Sequence, residues 1–360
     1  FGISFTRRAL NQASALVNVY LDGTIQVSTG GTEMGQGLNT KIRQIVAAEF
    51  ALPLESVRVM PASTEKNNNT SPTAASASTD LNGTAAARAC EIIKGRLAEA
   101  AARHFASAAE GIEASATHIR FERAAVHDIR RPGAWLKFRE LVKLAYEERV
   151  DLGARGFYAT PGVDFNRETG RGNPFLYFTN GAAVSEVVID RLTGELAVTR
   201  VDILMDLGRS LNPDIDRGQV IGGFVQGMGW VTTEELLYSE TGDLLSHSPN
   251  NYKIPTADCL PRVLLVDFLN NSGNPINLLG SKAVGEPPFV LGISVAVAAK
   301  SALSSLSPGR SPPLSFPVTS EELLKHISAL GQDEDPMKLA NAMLSRVHER
   351  EDQIRAGNQV

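Results

Sequence analysis

The chain has 360 residues, 43 % of them hydrophobic and 21 % charged, with a net charge of −5. That length allows about two globular domains with real cores, and the acidic balance argues against a nucleic-acid groove or a polybasic membrane surface. The two cysteines, Cys90 and Cys259, exclude a disulfide framework, point to a reducing, cytoplasmic compartment, and are too few for the four thiolates of an iron–sulfur cluster. Both read as small buried hydrophobes. The six histidines show no H-x-H or H-E-x-x-H spacing, so no zinc site held by protein ligands is expected. The chain opens on FGISFT with neither an initiator Met nor a leader signal, and is expected to be a piece of a longer protein.

Residues 14–29, ALVNVYLDGTIQVSTG, predict a hairpin with a two-residue turn at Asp22–Gly23. A glycine-rich loop follows and opens a helix with Leu38, Ile42, Ile45 and Val46 on one face. SVRVMPA predicts a short strand, and a polar loop then leads into an Ala-rich helix over roughly 79–110. Residues 111–150 read as a strand and another helix, and 153–180, rich in Gly, Pro, Asn and Phe, as a linker. A second hairpin turns at Thr193–Gly194, and a helix rich in small residues starts near Asp216. GEPPFVLGISVAVAAKSAL predicts a helix begun by proline, whose apolar run from Phe289 to Ala299 is too short to span a bilayer. A last helix opens on a capping box from Thr319 to Glu322. From about residue 331 the chain reads as a charged, peripheral helical tail. Strands and helices alternate irregularly, which is the α+β pattern, with domains expected over 1–152 and 181–330.

Four stretches carry chemistry. GGTEMGQGL, residues 30–38, sets four glycines before a helix, so backbone N–H groups and a helix N-terminus point at an anion site; Gln36 offers an amide there. The Lys-Ser/Thr of a Walker A loop is missing, and the stretch also reads as a plain tight loop. NTSPTAASAS, residues 69–78, offers the hydroxyls of Thr73, Ser76 and Ser78, with Ala74 and Ala75 leaving room for a bulky group; its bland reading is helix capping. GQVIGGFVQGMG, residues 218–229, sets Gln219 and Gln226 seven apart on a helix whose glycines invite close approach, of a flat ligand or simply of another helix. GSKAVGEPPF, residues 280–289, isolates Glu286 among Val284, Pro287, Pro288 and Phe289. Partial desolvation there would favour the neutral acid and make it a proton acceptor near neutrality; the alternative is a carboxylate facing a helix dipole.

Taken in order, FGISFT, GGTEMGQGL, TSPTAASAS, GQVIGGFVQG and GSKAVGEPP resemble the molybdenum hydroxylase family, and among its members those that act on purines. The resemblance runs from Phe1 to about Ile327. It implies that the α+β fold is that family's molybdopterin-binding domain. It implies a molybdenum–molybdopterin cofactor whose metal is held by the pterin and takes no ligand from a protein side chain. The position matching Glu286 is the general base, which takes the proton from the metal-bound hydroxide as an electron-poor carbon is hydroxylated. Gln36 and Gln219 match residues beside the cofactor, and Thr73, Ala74, Ala75, Ser76 and Ser78 match the loop that lines it. Phe5, Thr6 and Ala75 match positions at the substrate, a stacking ring and a donor suited to a flat purine. Arg7 and Arg8 follow directly and bear on the entrance. The family's earlier molybdenum half, with a second phenylalanine, an acid and an arginine at the substrate, has no match here. Its 2Fe-2S clusters and FAD are expected on missing segments or a partner subunit, and the complete enzyme as a homo-oligomer. The implied reaction is hypoxanthine to xanthine to urate, with water as the oxygen source. A related hydroxylase for an aldehyde or another N-heterocycle, or an inactive cofactor-binding fragment, are the alternatives.

Overall fold

Period-two alternation of apolar residues builds the strands, and Ala-rich helices lie close on them. The computed structural model describes residues 1–108, 113–271, 273–306 and 311–330; the tail expected from 331 lies outside them. The chain begins with β1 (Gly2–Ile3), β2 (Gln12–Val19), β3 (Ile25–Thr29), α1 (Leu38–Phe50), β4 (Val57–Val59) and α2 (Thr84–Ser107). It continues through β5 (Ile119–Glu122), β6 (Ala125–Asp128), β7 (Trp135–Lys137), α3 (Phe138–Glu147) and β8 (Gly153–Ala159). Then come β9 (Asp164–Asn166), β10 (Arg171–Asn173), β11 (Tyr177–Phe178), β12 (Asn180–Ile189) and β13 (Leu196–Asp206). The last elements are α4 (Pro213–Thr232), β14 (Val263–Phe268), α5 (Ile293–Ser304) and α6 (Ser320–Leu330).

The described residues fall into two units. The first holds Phe1–Ala182, Leu204–Phe224 and Val266–Val290. Its main sheet runs β4-β3-β2-β8, with β3 and β4 parallel and the other pairs antiparallel. Val17, Val19, Ile25 and Val27 of this sheet, Ile42, Val46 and Phe50 of α1, and Cys90, Ile93 and Leu97 of α2 form one buried core. A Cβ on Gly156 of β8 would lie 2.0 Å from the Ala85 carbonyl oxygen of α2 and 2.6 Å from the Ala89 nitrogen. Glycine in the strand and alanines in the helix are what permit that contact. A smaller sheet, β5-β6-β7, stands where a single strand was expected.

The boundaries expected from composition are corrected here. Residues 153–180 are no linker: β8 pairs with β2 along its length, and β11 pairs with β1. Glycine in this stretch serves close packing, and composition alone cannot separate that from flexibility. Residues 204–224 and 266–290, expected in the second domain, belong to the first unit. The first hairpin also differs in its turn. Val19 pairs with Ile25, which leaves Tyr20–Thr24 as the loop, with Gly23 at φ 85° and Asp22 accepting the Thr24 N–H at 2.9 Å.

The second unit holds Ala183–Ile203, Val225–Leu265 and the described residues from Leu291. Val231, Ala296, Ala299, Leu303, Val318, Leu323 and Ile327 form its core. The turn after β12 has Gly194 at φ 71°, with Asp190 accepting the N–H groups of Leu192 and Thr193. At the start of α6, Thr319 Oγ1 accepts the Glu322 N–H at 3.3 Å. The box is half made, because Glu322 reaches back to the Ser315 N–H at 2.8 Å instead. Cys90 is buried, as expected, whereas Cys259 is exposed in a 3₁₀ turn. Among the described residues one stretch, Pro287–Ser304, is long and apolar enough to cross a membrane by length and composition. The shorter run expected from sequence left out the 3₁₀ turn Pro287–Gly292 that leads into α5.

Candidate functional site

The glycine-rich turn ahead of α1 supplies its own anion. Gly35 and Gly37 sit at φ 97° and 78°, a region closed to most side chains. One oxygen of Glu33 accepts the N–H of Gly35 at 2.9 Å and of Gly37 at 3.0 Å, and the other accepts the Asn39 N–H at 2.9 Å. The donors read from sequence as an external anion site are thus met by Glu33. Burial alone would raise the Glu33 pKa, but the N–H groups of Asn39, Gly37, Gly35 and Met34 outweigh it and hold the carboxyl below its usual range. Gln36 is occupied within the same turn: its Oε1 accepts the Met34 N–H at 2.5 Å, and its Nε2 donates to the Thr32 carbonyl at 2.8 Å.

The hydroxyl-rich turn is open where the glycine turn is closed. Ala75 and Ser76 both take left-handed φ, 55° and 53°, a costly pair for residues with a Cβ. Thr73 Oγ1 accepts the Thr32 N–H at 2.8 Å, which ties this turn to the glycine turn. Ser76 Oγ accepts the Glu286 N–H at 2.6 Å. A Cβ on Gly285 would lie 3.0 Å from that oxygen, so glycine gives the contact its room. Accepting from an N–H leaves each hydroxyl its own proton to donate.

Glu286 itself is exposed, and this corrects the expectation of a desolvated acid. The apolar members of its run, Ala283, Val284, Pro287 and Pro288, turn inward and are buried, while Gly285 and Glu286 form the rim. An apolar neighbourhood in sequence desolvates a side chain only if the neighbours pack around it, and here they pack beneath it. The Glu286 carbonyl accepts the Phe289 N–H at 3.0 Å, which opens the following 3₁₀ turn.

These elements surround a cleft of about 240 Å³ in the first unit. Of the residues singled out from sequence, Gln36, Thr73, Ala74, Ser76, Ser78, Gln219 and Glu286 line it together. Ala75, between two lining residues, does not line it, nor do Phe5 and Thr6. The Phe5 backbone is pinned by Asn11 through bonds of 2.8 Å in both directions, and its ring packs on the main core. The structure adds charged residues that sequence reading missed: Lys41, Asp80, Asp216 and Lys282. Lys41 pairs with Asp216 at 2.5 Å, with side chains 9 % and 4 % exposed, and Ser210 donates to the same carboxylate at 2.6 Å. Lys282 pairs with Asp206 at 2.6 Å. Lys41 had a signal in the sequence, a cation on the same helix face as Leu38, Ile42 and Ile45. Asp80 is buried and accepts from Tyr177 and Asn277; burial pushes its pKa up to about 6, against the lowering effect of Tyr177, Asn277 and Lys41.

The donor set suits a polar, phosphate-bearing group. Hydroxyls at Thr73, Ser76 and Ser78 and the Gln219 amide face one space, the acid Asp216 is neutralised by Lys41, and nothing lies within 4 Å of where a Cβ on Gly35 would stand. The cleft is smaller than the ~300–1,000 Å³ of a pocket that encloses a ligand. These residues therefore form one wall of a site.

A family model described as molybdopterin cofactor-binding domain matches residues 1–261. The chain is 46 % identical over 312 residues to xanthine dehydrogenase of Oryza sativa subsp. japonica, covering 85 % of this chain and 21 % of that protein. It is 45 % identical over 305 residues to xanthine dehydrogenase/oxidase of Gallus gallus, covering 85 % of this chain and 20 % of that one. The chain thus spans about a fifth of the length of the curated relatives it matches. Among solved structures, quinoline 2-oxidoreductase from Pseudomonas putida 86 superposes with a TM-score of 0.78 at 25 % identity, over 90 % of this chain and 40 % of that one. The Cu,Mo-CO dehydrogenase superposes with a TM-score of 0.77 at 24 % identity, over 90 % of this chain and 38 % of that one, a likeness of fold.

Proposed function

The chain belongs to the molybdopterin cofactor-binding domain family, and on that premise we propose that it is the C-terminal cofactor-binding part of a purine hydroxylase of the xanthine dehydrogenase type. The observation that carries this reading is the meeting of Glu286 with the 73–78 turn on one cleft, joined by the Ser76–Glu286 bond. When bound, the molybdenum–molybdopterin group supplies the two-electron oxidation and the oxygen, drawn from water, for hydroxylating an electron-poor carbon of the purine. Thr73, Ser76 and Ser78 would hold the cofactor's polar edge through hydroxyl donors, with the amide of Gln219 in the same cleft lining. Glu286, exposed at the rim, would be the proton acceptor for the water that supplies the oxygen. Phe5 and Thr6, outside the lining of this cleft, would orient the purine only from beyond it. Electrons leave to 2Fe-2S and FAD centres on segments or subunits beyond this chain, in a cytoplasmic, homo-oligomeric enzyme.

In the complete enzyme, Glu286→Gln keeps molybdenum and pterin at wild-type content and lowers turnover by roughly 10²- to 10⁴-fold. Near-normal turnover removes Glu286 as the base. A second reading, a hydroxylase for an aldehyde or another N-heterocycle, is favoured by the absence of Phe5 and Thr6 from the cleft lining. Turnover of hypoxanthine set against quinoline and an aromatic aldehyde separates the two.

A further inference from the structure

Both ends of the segment that leads into Glu286 are tied to one buried acid. Asp80 lies in the wide π-type turn Thr79–Gly83 that opens α2, directly after the hydroxyl-rich turn, and is 5 % exposed. One of its oxygens accepts the Tyr177 hydroxyl proton at 2.6 Å, and the other accepts Nδ2 of Asn277 at 2.9 Å. The Tyr177 oxygen in turn accepts the Ala283 N–H at 2.8 Å. Asn277 Nδ2 also donates to the Ser281 carbonyl at 3.1 Å. Tyr177 pairs with Ile3 across β1 and β11, and Ile3, Tyr177 and Ala283 share a small buried cluster. The three segments assigned to substrate, cofactor and base thus meet at the Asp80–Tyr177 bond.

An exposed carboxylate cannot be aimed by packing around it. Only its backbone can aim it, and the backbone that leads into Glu286 has anchors that come from residues 76–80: Ser76 at the Glu286 N–H itself, and Asp80 at Asn277 and, through Tyr177, at Ala283. Burial, and next the Asp80 charge, push the Tyr177 pKa up, so the phenol keeps its proton. Its O–H then points at Asp80 and its oxygen is left to face Ala283. We propose that Asp80 is a positioning residue for Glu286, fixing the 277–286 segment against the hydroxyl-rich turn through Tyr177 and Asn277. This rests on the reading of Glu286 as the base.

Tyr177→Phe deletes both bonds at one atom and keeps the ring. In the 360-residue chain, amide hydrogen exchange at Ala283 and Glu286 is expected to quicken at least roughly tenfold, since a protecting bond worth about 1.4 kcal/mol is a factor of ten, while the amides of Val17 and Val19 in β2 stay protected. In the complete enzyme, kcat is expected to fall roughly 10-fold or more with KM within about twofold, the pattern of a misaimed catalytic group. Asp80→Asn, which turns one acceptor into a donor facing Tyr177 or Asn277, is expected to do the same, and the double variant no worse than either alone. Unchanged exchange at 281–286, or additive losses in the double variant, overturns the proposal. Quickened exchange beside near-normal turnover of Glu286→Gln overturns only the base, and the anchor stands.

Discussion

Glu33 and Asp80 each stand just before a helix, α1 and α2, and their surroundings push their protons in opposite directions. Glu33 is exposed and meets backbone N–H groups freed by a helix start and two left-handed glycines, so its charge is favoured. Asp80 is buried and meets a phenol and an amide, which only partly replace the water it has lost, so its charge is disfavoured and its pKa lies near 6. The glycine turn is therefore a self-contained unit whose acid closes it. The Asp80 turn is held from a distance, by residues almost one hundred and two hundred positions away in the chain, and it joins segments where the glycine turn seals one.

The largest effect that bears on this difference is expected at Lys41. Its ammonium pairs with Asp216 in the floor of the cleft and also favours the Asp80 charge. Lys41→Met leaves a buried carboxylate without its partner, which costs about 3–5 kcal/mol, read by urea unfolding at pH 7. The same change should raise the Asp80 transition above about 6, seen by NMR titration of the side-chain carboxyl. A loss under about 1 kcal/mol would mean that water reaches Asp216 and that the cleft floor is wetter than its 4 % side-chain exposure indicates.

Asp80 itself comes next. Between its ordinary 3.8 and about 6, the unfolded chain has released the proton while the folded chain still holds it. The group therefore makes the fold less stable as pH rises through that window, by about 3 kcal/mol in all. Asp80→Asn removes the titration. The stability of wild type relative to the variant is expected to fall by about 3 kcal/mol from pH 4 to pH 7, in urea unfolding across a pH series. A flat difference would show that Tyr177, Asn277 and Lys41 fully replace water around the ionised acid, and would erase the contrast with Glu33.

Local chemistry was legible in the sequence where neighbours in the chain are neighbours in space. Alternation in β2 and β3, the helical face of α1 and the places of the turns at Gly23 and Gly194 follow from spacing alone, though not the length of the first loop. The hydroxyls of residues 73–78 and the carboxylate of Glu286 were found as motifs, and they do share a cleft. What sequence could not give is which donors pair with which acceptors over long separations. Asp80 appeared as one acid in a polar loop, because nothing near it in the chain announces Tyr177 or Asn277. The expected desolvation of Glu286 failed for a related reason: composition reports which residues are near, and leaves open on which side they pack. Composition alone reads β8 as linker because glycine serves flexibility and close packing equally, and only the contact of Gly156 with α2 decides between them.

Glu33→Gln is the smallest of these effects and the clearest check of sign. The amide side chain can still accept from some of Gly35, Gly37 and Asn39, but without charge, so each bond weakens. The carboxylate is exposed, so solvent screening reduces what the pairing contributes. A loss of about 1 kcal/mol at pH 7 is expected. Because the folded-state pKa lies below the usual value of 4.5, the stabilisation is fully present above that value. It is lost as pH falls through the lower, folded-state value, so wild type and variant should converge in acid, where the Asp80 pair diverges. Convergence of Glu33→Gln and divergence of Asp80→Asn along one pH axis would establish that two acids in similar sequence positions do opposite work. If the Glu33 difference instead persisted into acid, the turn would be held by its shape, with the left-handed glycines closing it whether or not the charge is there.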